Sequence, residues 1–254
     1  MLDEYSSDAV RYWAASGRPG TDTAFDVGQM KIGRRLAIKI LNATKFVLTI
    51  AESGNVDNIT EPVDQALIAK LDSTVTAATK AFEEFNYAKA LDVTEAFFWQ
   101  FTDDYVELVK ERAYGEKSGV NTESAQSALY LALTTILRLF APFFPFTTEE
   151  TWSWFNSDSI HLQTWPENFA KISGDPQVFI DAQTGLSLVR KVKSEAKVSM
   201  KAVVSTAKLS GTLEHVDRLK LVAGDLAAAG NIKHLEFDVT DGDIEAQIEL
   251  TPPN

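Results

Sequence analysis

Through the first two-thirds of the chain, apolar positions recur every three to four residues, the period of helices with one buried face. Asp8 to Gly17 is a short amphipathic stretch closed by the turn signal Gly17-Arg18-Pro19-Gly20. Val27 to Ser53 keeps the helical period and runs into Gly54-Asn55, a plausible C-cap. A third helix opens at Thr60, carries Pro62 in its first turn and runs to about Phe85. Asn86 caps a fourth, from Tyr87 to about Tyr114, which Gly115 closes. Asn121 or Thr122 starts a fifth that ends at Phe140, before Pro142. Thr147-Thr148-Glu149-Glu150 contains a Thr-x-x-Glu capping box, which predicts one more short helix carrying Trp152, Trp154 and Phe155.

After Trp165-Pro166 the texture changes. Lys171 to Gln177, with Gly174 and Pro176, reads as a linker. Val178 to Ala196 reads as a helix, Lys201 to Leu209 as a β-branched strand, and Leu213 to Ala229 as a further helix. Ile232 to Val239 and Asp243 to Leu250 alternate as strands around the turn Thr240-Asp241-Gly242-Asp243. The expected fold is mainly α: a helical bundle over residues 1–170, then a small α+β appendage over residues 171–254. No internal repeat or low-complexity tract interrupts it.

Composition narrows the chemistry. At 254 residues, with 45% hydrophobic and 24% charged, the chain is globular and long enough for a sizeable core. It has no cysteine, so disulfides, thiolate metal sites, iron–sulfur clusters and cysteine nucleophiles are excluded. His161, His215 and His234 are far apart in sequence, and no metal site is expected. The N-terminus lacks the basic and apolar regions of a signal peptide. Leu129 to Phe146 is the most apolar segment, but Arg138 interrupts it and Pro142 and Pro145 follow. It reads as a buried helix that stops, so no membrane span and a cytoplasmic location are expected. A Gly-rich phosphate loop, Gly-x-Ser-x-Gly and His-Glu-x-x-His are all absent from the sequence, and no catalytic residue is expected in it.

The balance of 24 Lys+Arg against 36 Asp+Glu, a net charge of −12, argues on average against nucleic acid. Lys31 to Ile50 departs from that average, with Lys31, Arg34, Arg35, Lys39 and Lys45 and no acidic residue. At about 100° per residue, Lys31, Arg34, Arg35, Lys39, Asn42 and Lys45 share an arc of roughly 140°, with Phe46 at its edge. Leu36, Ile40, Ala43, Val47 and Leu48 take the opposite side. Such a face suits a phosphate backbone and one stacked base; a solvated surface face is the plainer reading. Two features favour the first. The cations lack the usual Glu partners one turn back, and adjacent arginines supply planar, bidentate donors.

Other candidates weigh less. Phe97-Phe98-Trp99-Gln100-Phe101 and the aromatics from Phe140 to Phe155 read as core. Asp103, Asp104 and Glu107, at one-turn spacing, read as a wet helix face rather than a carboxylate site.

Four runs, in order, resemble the C-terminal part of the valyl-tRNA synthetase family. They are the run Tyr5-Ser6-Ser7-Asp8-Ala9-Val10-Arg11-Tyr12-Trp13-Ala14-Ala15-Ser16, the Gly33-Arg34-Arg35 to Phe46-Val47 helix, Phe98-Trp99-Gln100-Phe101-Thr102-Asp103-Asp104-Tyr105-Val106-Glu107, and Ile136 to Trp152 around Ala141-Pro142-Phe143-Phe144-Pro145. With Ser159-Ile160 to Trp165-Pro166 they cover the first two-thirds, and Arg190 to Glu195 extends the likeness more weakly. The family commonly has histidine where this chain has Ala141. The His-x-Gly-His and Lys-Met-Ser-Lys-Ser signatures of its ATP site are absent; Lys197-Val198-Ser199-Met200-Lys201 scrambles the second and reads as a loop entering a strand.

The resemblance implies an anticodon-binding bundle, with residues 1–20 as a junction to a missing N-terminal catalytic domain. It implies a monomer that binds the anticodon arm of tRNA(Val). Arg34, Arg35, Lys39 and Lys45, with Lys31 beside them, would hold phosphates, while Asn42 and Phe46 approach the bases. ATP and magnesium would serve the parent ligase, with no cofactor in this chain. The same module of an isoleucyl-tRNA synthetase and a non-catalytic helical adaptor for protein partners are the alternatives.

Overall fold

The structure, a computed structural model, describes residues 2–115, 120–169 and 172–251. The chain divides into two compact units, each discontinuous in sequence. Met1–Val56, Lys70–Gln100 and Leu129–Ala170 form the first; Asp57–Ala69, Phe101–Ala128 and Lys171–Asn254 form the second. The expected junction at residues 170 and 171 lies outside the described residues.

Helices account for most of the first unit. They are α1 (Leu2–Tyr5), α2 (Ser7–Ser16), α3 (Val27–Leu48), the later part of α4 (Pro62–Glu83), α5 (Tyr87–Trp99), the later part of α7 (Val120–Phe140) and α8 (Pro145–Trp152). Their core is aromatic: Phe98 meets Phe140 edge-on at 5.4 Å, Phe140 meets Phe144 at 5.6 Å, and Tyr12 lies 5.8 Å from Phe144. Each buried ring contributes roughly 1.5–3 kcal/mol through removal from water. Not every aromatic is core, since Phe146 and Trp154 are exposed.

The start of α8 differs from the expected capping box. Proline at the first turn starts it at Pro145, and no local side chain caps it. The cap comes instead from Asp8 of α2, which is buried and accepts from the Phe146 and Thr147 backbone N–H groups and from the Thr147 hydroxyl. Glu150, the expected reciprocal partner, accepts instead from the Trp154 indole N–H at 3.1 Å, and the neighbouring Glu149 accepts from Ser159 and the Ile160 backbone N–H. A carboxylate at this end also suits the helix dipole. Helix α3 stops at Leu48, before the expected Gly54-Asn55, and the Thr49 hydroxyl donates to the Phe46 carbonyl at 2.6 Å.

In the second unit a three-stranded sheet, β1 (Val204–Gly211), β2 (Ile232–Val239) and β3 (Glu245–Leu250), has the order β2-β1-β3. The turn after β2 therefore does not join paired neighbours: β1 lies between, parallel to β2 and antiparallel to β3. Helix α9 (Pro176–Glu195), α10 (Leu213–Leu221) and α11 (Ala223–Gly230) pack with the sheet around Val189, Val204, Ala207 and Ile232. The expected single helix after β1 is two, broken at Val222. Between α5 and α6 (Val106–Tyr114), Gln100–Tyr105 is a π-helical turn where one continuous helix is expected. The expected linker is short: Pro176 already opens α9, capped by Asp175, and Lys171 lies outside the described residues.

Polar burial in this unit converges on Arg112. Its guanidinium donates to both oxygens of the fully buried Asp64 at 2.8 Å, and to Asp225 at 2.8 and 3.0 Å. Tyr105 donates its hydroxyl to Asp64 at 2.8 Å, and the Ser124 hydroxyl donates to Asp64 at 2.6 Å while accepting from the Thr60 and Glu61 backbone N–H groups. Burial disfavours the Arg112 charge, but the bonds and charges of Asp64 and Asp225 outweigh it and hold the guanidinium above its ordinary range. Burial pushes the Asp225 carboxyl up, against the pull of Arg112. The break at Val222 places Asp225 in the first turn of α11, where it reaches the arginine. Arg112→Met is expected to cost about 3–5 kcal/mol, because it leaves a buried carboxylate unpaired. Urea unfolding of the variant checks this; a loss under ~1 kcal/mol would mean that the network is not an anchor.

Candidate nucleic-acid interface

Helix α3 begins where the Asp26 carboxylate accepts from the Gly28 backbone N–H at 2.7 Å. Its inner face consists of Met30, Gly33, Leu36, Ala37, Ile40, Thr44 and Val47, all buried against neighbours that include α2 and α8. Gly33 permits the contact with α2. A methyl group there would fall 2.7 Å from Tyr12 Cβ, closer than carbon atoms approach. Tyr12 is itself held, donating its hydroxyl to Glu95 at 2.8 Å, and burial followed by that contact keeps its phenol well above the usual range.

This packing sets the rotation of α3. Lys31, Arg34, Arg35, Asn42 and Lys45 are exposed, while Lys39 and Phe46 are half-buried. All seven residues singled out from the sequence thus lie on or beside the outward face of one helix. Two of the cations have contacts of their own. Arg34 donates to the Glu4 carbonyl at 3.3 Å, and the Lys39 ammonium sits 5.8 Å from the centre of the Trp99 ring. The Trp99 indole N–H donates to the second oxygen of Glu95 at 3.1 Å, so one carboxylate holds both Tyr12 and Trp99.

Two residues of this face escape a reading based on charge. Ile38 is 49% exposed and falls in the middle of the basic arc, a position the same wheel already marks. Trp99 is half-buried beside Lys39 rather than core, which only the tertiary contact reveals. The acidic run separates too. Asp104 pairs with Arg190 at 3.1 Å and accepts from Gln183, whereas Asp103 and Glu107 are exposed. Among the described residues no group of three or more His, Asp or Glu side chains is arranged to hold a metal ion. Among them also, no helix is long and apolar enough to cross a membrane.

Residues 64–208 match the family described as the anticodon-binding domain of tRNA ligase. The chain belongs to this family. It is 50% identical over 260 residues to valine–tRNA ligase of Thermobifida fusca, an alignment covering 99% of this chain and 29% of that protein. Valine–tRNA ligase of Salinispora arenicola is 47% identical over 275 residues, and that of Cutibacterium acnes 45% over 258. Each alignment takes in 99% of this chain, against 32% and 30% of those proteins. The chain therefore spans about 30% of the length of these relatives. The family match starts at Asp64, the carboxylate that anchors Arg112, and lies downstream of α3; the alignments to the ligases, at 99% coverage, take in that helix.

Gly33→Ala is expected to cost about 1–3 kcal/mol, since the added methyl would force apart α3 and a Tyr12 that is buried and held by Glu95. Thermal unfolding measures it, and an unchanged midpoint would contradict the close contact of α2 with α3.

Proposed function

We propose that this chain is the part of a valine–tRNA ligase that holds the anticodon arm of tRNA(Val). The observation that carries the reading is the outward face of α3, five cations with no acid between Lys31 and Ile50 in a chain of net charge −12. Arg34, Arg35, Lys31 and Lys45 contact successive phosphates, and Lys39 does so from its seat on Trp99. Asn42 and Phe46 meet the anticodon bases, one by hydrogen bonding and one by stacking. Phosphate contacts set position and affinity; the base contacts discriminate tRNA(Val) from other tRNAs.

In this reading the bundle over residues 1–170 carries the RNA and the α+β segment over 171–254 completes the module. Residues 1–20 form the junction to an N-terminal catalytic domain elsewhere in the same polypeptide. That domain activates valine with ATP and magnesium and transfers it to the tRNA; no chemical step belongs to this chain. The whole enzyme acts as a cytoplasmic monomer.

Two measurements test the reading. Arg34→Glu combined with Arg35→Glu is expected to weaken tRNA(Val) binding by at least about tenfold. It should also flatten the log–log salt dependence by roughly 0.9 per lost phosphate contact. Unchanged affinity would place the RNA on another surface. Incubation of the chain with valine, ATP and tRNA is expected to give no aminoacylation, and turnover above background would refute the division of labour.

A further inference from the structure

A second place in the first unit treats charge as α3 does. A cleft of about 180 Å³ lies between the end of α7, the Ala141–Pro142 corner and the segment around Trp165. No carboxylate lines it, whereas three other clefts of the same unit each include at least two. Arg138 is half-buried in its wall, and the one bond it makes among the described residues is from Nε to the Thr134 carbonyl, 3.3 Å away. The contrast with Arg112 is informative. That arginine satisfies its fork on two carboxylates, while both terminal nitrogens of Arg138 have no partner among the described residues. Burial without a counter-charge holds the Arg138 guanidinium below its ordinary range. Thr164, also on the lining, has a hydroxyl with no partner among the described residues, and Arg11 reaches the rim by donating to the Pro142 carbonyl at 2.8 Å. A guanidinium fork that faces an open cleft and has no protein partner is free to grip two oxygens of one anion.

We propose that this cleft is a second RNA-phosphate subsite, in which the Arg138 fork and the Thr164 hydroxyl hold one phosphodiester of the RNA bound on α3. The inference rests on the tRNA-binding reading. Phosphate is favoured over a protein carboxylate because the cleft is acid-free in a strongly acidic chain and a second arginine stands at its rim. Its walls at Ala141, Pro142 and Trp165 offer apolar surface to the adjoining sugar.

The test is tRNA(Val) binding by the whole chain across a salt series, for the wild type, Arg138→Gln, Arg138→Lys and the Arg34→Glu/Arg35→Glu pair. Arg138→Gln is expected to bind about tenfold or more weakly, with a log–log slope shallower by roughly 0.7–0.9. Arg138→Lys, which keeps the charge and loses the fork, is expected to lie between, with the wild-type slope. Thermal unfolding identifies a variant that fails to fold. In that event, titration of the wild type with inorganic phosphate, followed through the Arg138 Nε–H resonance, decides: a shift supports the subsite and no shift overturns it. Binding of Arg138→Gln within twofold of wild type, with the α3 pair weakened, overturns the subsite alone. A wild type that binds no tRNA overturns the functional reading as well. If Arg138→Gln leaves RNA binding intact and weakens capture of a separately expressed catalytic domain, the cleft takes a protein carboxylate and the proposal fails.

Discussion

The contact of Tyr12 with Gly33 is the constraint on which the candidate surface of α3 depends. A helix with five cations on one side and a run of apolar residues on the other has two faces, but nothing local fixes how it is turned within a bundle. The absence of a side chain at Gly33 lets α2 settle directly on α3. Tyr12 is then locked from behind by Glu95, and α2 by the bonds that Asp8 makes to the start of α8. With that side of α3 committed, its arginines and lysines have only the outward direction left. The polar bonds are specific where apolar packing is permissive, because each leaves an unsatisfied buried group if the helices slip.

In the second unit the corresponding role falls to Arg112. A fully buried carboxylate is costly in isolation, and Asp64 is tolerable because a guanidinium, a phenol and a hydroxyl all donate to it. Those donors come from residues 101–128, and Asp225 adds a bond from α11, so the network joins segments far apart in sequence. This explains why the α+β segment shares its unit with residues 57–69 and 101–128.

The sequence makes local decisions legible and long-range ones invisible. The buried stripe of α3, its outward cations, the Asn86 cap of α5 and the bounds of β2 follow from period, capping residues and alternation within a few positions. The cap of α8 was not legible, because its donor groups meet a carboxylate some 138 residues away. Local alternation likewise says nothing of partners, so the insertion of β1 between β2 and β3 is hidden in it. The break at Val222 serves a bond to Arg112, and the seat of Lys39 on Trp99 depends on two helices meeting; neither has a signature in a window of residues. Ile38 is different: its place in the basic arc was available from the wheel, and attention to charge alone passed over it.

Net charge and binding surface are separate quantities. An average of −12 coexists with an acid-free helix face because the acids are elsewhere, and under the proposed function their repulsion would confine RNA to the places where cations are exposed. Lysine reactivity tests most directly whether RNA lies on α3. The chain is acetylated with and without saturating tRNA(Val), and the modification of each lysine is read by mass spectrometry. The account predicts strong protection of Lys31, Lys39 and Lys45, with Lys220 and Lys233 of the α+β segment unchanged. Protection of Lys220 and Lys233 without protection of α3 would contradict it.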